Sequence, residues 1–155
     1  MALGFFGFNR NKYPSGIPSG TYLIQNGVIV DPALCSGSLK TSGYCSGAQS
    51  GYDSNVYFTI TDKLVGKELI AVFRGRRTNM CYNGQNSWYS QLFDGNAVLA
   101  SVDILSTSTY RDVTVQFTCT DPQFRVRTVL SRRANSTQGT QHDGSEAEII
   151  SLQVV

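Results

Sequence analysis

Runs of β-branched and aromatic residues, each closed by a turn signal, follow one another along this chain, and no stretch longer than a turn or two carries a helical period. The segment 21–30 reads as two short strands about Asn26-Gly27, a pair that favours a type I′ hairpin turn because both positions tolerate positive φ. Segments 55–61, 69–74, 87–93, 97–105, 112–120, 124–131 and 146–155 continue the pattern, with Asp94-Gly95-Asn96 and Asp121-Pro122 as turns between them. In 69–74, Leu69, Ala71 and Phe73 share one face and Ile70 and Val72 the other, as in a strand covered on both sides. In 112–120, Val113, Val115, Phe117 and Cys119 point one way. The Gly/Ser/Tyr-rich stretch 36–51 reads as a long loop.

About eight or nine short strands make an all-β chain, and an antiparallel two-sheet β-sandwich with a jelly-roll or Ig-like layout fits them best, a barrel being the alternative. A chain of 155 residues suits one domain. We assign 21–155 to that sandwich and 1–20 to an extended N-terminal arm, because Pro14-Ser15-Gly16 and Pro18-Ser19-Gly20 forbid a helix there. The start of the chain has no basic region before its short apolar run and no A-x-A-like site after it, so no cleavable leader is expected. No run of apolar residues is long enough to span a bilayer as a helix.

Chemistry-bearing residues are sparse. The single histidine, His142, lies in the polar tract 135–145, adjacent to Asp143, and neighbours in sequence do not face each other across a site. With no Gly-x-Ser-x-Gly motif present, the chain reads as non-enzymatic, although two carboxylates distant in sequence could still meet. Cys35, Cys45, Cys81 and Cys119 lack zinc-ligand spacing, so neither metal nor cofactor is expected. They are candidates for disulfides, Cys35 with Cys45 and Cys81 with Cys119, or for buried thiols. The order Cys81, Trp88, Cys119 departs from an immunoglobulin domain: the first interval is short, and Phe117 stands where the corner tyrosine belongs.

Three sets of residues carry the binding expectations. Phe5, Phe6 and Phe8 of the arm, with Ile149 and Leu152 of the terminal strand, are apolar anchors for docking to neighbouring subunits. Arg74, Arg76 and Arg77, and Arg125 and Arg127, form basic strand ends for polyanion or interface contacts, or else a solvated or subunit-facing surface. A net charge of +2 gives little support to nucleic acid as the partner. Trp88 and Tyr89 with Asn83 and Asn86 combine ring faces and amides in the manner of glycan sites, unless Trp88 fills the core. The reading placed first is a structural subunit of a larger assembly, a capsid, decoration or tail protein of a virion, partnered by copies of itself and other structural proteins. A carbohydrate-binding module is the alternative.

Overall fold

The computed structural model describes residues 13, 15–80 and 85–155. Phe5, Phe6, Phe8, Cys81 and Asn83 lie outside the described residues. The chain runs through β1 (Tyr22–Gln25), β2 (Val28–Ile29), β3 (Cys35–Gly37), β4 (Lys40–Ser46), β5 (Gly51–Ile60), β6 (Glu68–Asn79), β7 (Gln85–Asp94), β8 (Ala97–Asp103), β9 (Arg111–Thr118), β10 (Gln123–Arg132) and β11 (His142–Val154). One sheet has the order β2-β1-β11-β6-β9 with β4 also on β11, the other β3-β5-β10-β7-β8, and every pairing is antiparallel. The two sheets form the expected sandwich.

The β1–β2 turn is the one its dipeptide favours. Asn26 has φ 54° and Gly27 φ 73°, the two positive values a type I′ turn demands. The Gly27 N–H then donates to the Ile150 carbonyl at 2.9 Å, which seats the hairpin on β11. Strand β6 is central, as its two apolar faces predict: Leu69, Ala71 and Phe73 are fully buried, while Ile70 and Val72 are half-buried on the other side. The core between the sheets is built on Phe58, Phe73, Phe124, Leu92, Ile149 and Leu152. Phe58 and Phe124 stack with centroids 5.0 Å apart. Burying each such side chain is worth on the order of 1.5–3 kcal/mol.

The stretch 36–51 is not a loop. Gly37 ends β3 in the five-stranded sheet, and by Lys40 the chain has entered β4 of the other. Thr41, Gly43 and Cys45 point inward in strict alternation, but inward residues this small leave no hydrophobic period to read. Gly43 has no side chain because Tyr52 fills the space above it: a Cβ there would stand 1.9 Å from the Tyr52 ring.

The terminal strand also differs from expectation. β11 begins at His142 and is paired along both edges, with β6 on one side and β4 then β1 on the other. Ile149 and Leu152 are fully buried in the chain's own core and so cannot serve as docking anchors. Of the segment taken as an arm, Tyr13 and Ile17 pack against the core, and Gly20 N–H donates to the Val154 carbonyl at 2.7 Å. Neither expected disulfide forms, because Cys35 and Cys119 are free thiols in the interior. Burial pushes both up to about 11, far from the reactive thiolate range. Among the described residues, no helix is long and apolar enough to cross a membrane.

Candidate functional site

Alternation along the five-stranded sheet sends one set of side chains to the core and the other to an open face. In β7, Trp88, Ser90, Leu92 and Asp94 turn inward, leaving Ser87, Tyr89, Gln91 and Phe93 outside. The pairing register then lines outward residues up across the strands. Tyr57, Arg125, Phe93 and Val98 make one row; Asn55, Arg127, Gln91 and Ser101 the next; Asp53, Val129, Tyr89 and Asp103 the third. Adjacent strands lie about 4.8 Å apart, so each row is a ladder of closely spaced functional groups.

Charge on this face is organised around Arg127. Its Nε and Nη2 donate to the two Asp53 oxygens at 2.9 and 2.7 Å, and Nη1 reaches Gln91 Oε1 at 3.5 Å. Arg127 beside it holds the Asp53 carboxyl below the usual carboxylate range. Asn55 Nδ2 also donates to Asp53, at 2.8 Å. Arg125 lies over the Phe93 ring, its guanidinium carbon 3.9 Å from the centroid, which explains how Phe93 is only 5 % exposed while facing away from the core. Between β7 and β8 the face sinks into a cleft of about 390 Å³, bordered by Asn86, Tyr89, Gln91, Ser101 and Asp103 and reached by Trp88.

Trp88 itself belongs to the interior. It is 4 % exposed, and its Nε1 donates to Tyr52 Oη at 2.9 Å. From Tyr52 a chain of hydroxyls crosses between the sheets: Tyr52 bonds Ser145, Ser145 Oγ stands 2.6 Å from Thr128 Oγ1, and Thr128 stands 2.9 Å from Ser90 Oγ. Of the residues that sequence reasoning grouped as a glycan site, Tyr89 and Asn86 border the cleft on the outer face, whereas Trp88 is turned to the interior and only reaches its margin. Sequence reasoning put Arg125 and Arg127 in a separate basic cluster, whereas the register brings them onto the same face as Tyr89. Asp53, Tyr57, Gln91, Ser101 and Asp103 were missed. Their signal is the polar half of the period-two pattern whose apolar half marks the core.

The other predicted arginines lie on the six-stranded sheet, where carboxylates of the same chain engage Arg74 and Arg76. Arg74 donates to Glu148 at 2.9 and 3.1 Å, Arg76 to Glu146 at 3.1 Å, and both guanidinium groups cover the Tyr110 ring at 4.0 and 4.4 Å. Tyr110 Oη donates to Glu146 at 2.6 Å, and Lys40 adds a contact at 3.6 Å. Arg77 donates to the Leu105 carbonyl. His142 is a strand residue, its Nδ1 2.8 Å from Tyr44 Oη. Among the described residues, no three His, Cys, Asp or Glu side chains gather as a metal site would require.

No family model and no curated protein matches the sequence. Solved structures with a similar outline include the K1 cleaved adhesin domain of Lys-gingipain from Porphyromonas gingivalis W83, at 12 % identity and a TM-score of 0.49, over 88 % of this chain and 99 % of that one. A mannan-recognising carbohydrate-binding module, TmCBM27, matches at 12 % identity and 0.39, over 72 % and 73 %. The N-terminal cellulose-binding domain of Cellulomonas fimi β-1,4-glucanase C matches at 14 % and 0.38, over 90 % and 91 %.

Proposed function

We propose that this chain is a non-catalytic β-sandwich module that binds glycan across the outer face of its five-stranded sheet. One observation carries the reading: a single register brings the exposed ring of Tyr57 and the half-buried ring of Tyr89 together with Asn55, Gln91, Ser101, Asp53 and Asp103 on one open face. Sugars present apolar ring faces and hydroxyl edges, which such a mixture of aromatic, amide and carboxylate groups complements. The strands are fixed by hydrogen bonds along their paired lengths, so the groups are held in place before a ligand arrives. The alternative, a virion subunit docking by its terminal strand, loses that element, since β11 is internal to its sheet.

A glycan array probed with the purified protein tests the proposal. Retention of defined oligosaccharides is the expected result, with Gln91→Ala and Asp103→Ala each weakening it while leaving the melting temperature close to that of the parent. Failure to retain any glycan would sink the reading.

A further inference from the structure

Arg74, Arg76, Arg127 and Arg132 each face a carboxylate of this chain, within 3.1 Å. Arg125 faces none. It sits in the middle of the outer face, over Phe93 of β7 on one side, with Tyr57 of β5 opposite it in register on the other. Tyr57 is 50 % exposed, so its ring is open to a ligand. Both carboxylates of this face lie in the third row: Asp53 is held by both ends of the Arg127 fork, and Asp103 stands on β8, two strands from β10. A guanidinium seated on a ring keeps its in-plane N–H donors clear of that ring, and those donors match the paired oxygens of an acidic group. Among the described residues, Arg125 is thus a positioned cation with no carboxylate in direct contact.

We infer that Arg125 makes the face selective for anionic glycans, receiving the carboxylate or sulfate of an acidic sugar in a forked contact while the sugar ring lies against Tyr57. This inference rests on the glycan-binding reading above and narrows it to a ligand class. The forked contact requires both charge and planar geometry, so lysine is an incomplete substitute.

Titration calorimetry with oligogalacturonides, as free acids and as their methyl esters, isolates the charge on an unchanged backbone; dextran sulfate against dextran is the sulfate arm. The wild-type protein should bind the charged member of at least one pair about tenfold more tightly than its neutral counterpart. Preference in the first pair alone identifies the carboxylate as the source, and in the second the sulfate. Arg125→Gln should abolish the preference and Arg125→Lys should retain part of it. The wild-type comparison needs no variant, so it stands even if Arg125→Gln folds poorly. Equal affinity for charged and neutral members in both pairs, or a preference that survives Arg125→Gln, overturns the inference. Binding of neutral glycans alone overturns it while leaving the broader reading intact, and binding of no glycan overturns both.

Discussion

Arg132 and Asp143 face each other across the sandwich, Nη1 3.1 Å from Oδ2, with no part of either side chain exposed. Arg132 closes β10 of one sheet, Asp143 is the second residue of β11 in the other, and Arg132 also donates to the Ser46 carbonyl of β4. A buried pair of this kind stabilises little over an apolar replacement, yet removing one member strands a charge in the interior. Asp143→Ala should therefore cost about 3–5 kcal/mol in urea unfolding, a large part of the ~5–15 kcal/mol typical of a whole domain. The double variant Arg132→Met/Asp143→Leu should be more stable than that single one. A loss under about 1 kcal/mol in Asp143→Ala would show that the pair is hydrated or dispensable.

The Glu146 cluster sets the acid limb of stability. Burial works to raise the Glu146 carboxyl, but Tyr110, Arg76 and Lys40 together outweigh it and leave the group below its ordinary 4.5. A depressed folded-state value gives stabilisation that is complete above about pH 4.5 and lost as pH falls through the lower folded value. Tyr110→Phe removes one of the groups that outweigh burial. Its melting temperature should lie below the parent's at neutral pH, and the two should converge at low pH. Parallel curves across the acid range would show that the Tyr110 bond does not act through Glu146.

What could be read from the sequence tracks side-chain size. β6 and β9 announced themselves because large apolar residues occupy alternate positions, and the β1–β2 turn because Asn-Gly has few other uses. β4 was hidden since its inward positions are Thr41, Gly43 and Cys45, too small to mark a period, and Gly43 lies under Tyr52, a partner assigned only by the fold. The start of β11 was hidden for a related reason: Asp143 and Ser145 are inward residues whose partners, Arg132 and Thr128, come from the opposite sheet. The same limit governed the site. Tyr89 and Asn86 were visible as a local cluster, but joining them to Arg127 and Asp53 required the strand register, which is a property of pairs.

Tyr52 sets an alkaline limit. Its hydroxyl, bonded to Trp88 and Ser145, is pushed up to about 12, chiefly by burial. A phenol raised above its ordinary 10 contributes stability that is full below pH 10 and lost as pH rises toward 12, because the unfolded chain ionises first. Tyrosinate absorbance in the parent should include a step well above pH 10, and Tyr52→Phe should diminish that late step by one ring. The same variant leaves Trp88 Nε1 without its acceptor, which should cost about 1–3 kcal/mol at neutral pH. An unchanged late step in the variant would show that Tyr52 is not the ring held back by burial.

Trp88 and Tyr89 are adjacent and point to opposite sides of β7, so they separate folding from binding within one strand. Trp88→Ala opens a cavity beside Tyr52 and should cost about 3–5 kcal/mol, read as a large fall in melting temperature. Tyr89→Ala removes a half-buried ring from the outer face, where Asp103 and Val129 are its cross-strand neighbours. Its melting temperature should move far less than that of Trp88→Ala, while affinity for a retained glycan should fall about tenfold or more. Those two outcomes follow from opposite side-chain directions on a single strand. A Tyr89→Ala protein that binds glycan as the parent does would remove the outer face of the five-stranded sheet as the binding surface, whatever Trp88→Ala does to the fold.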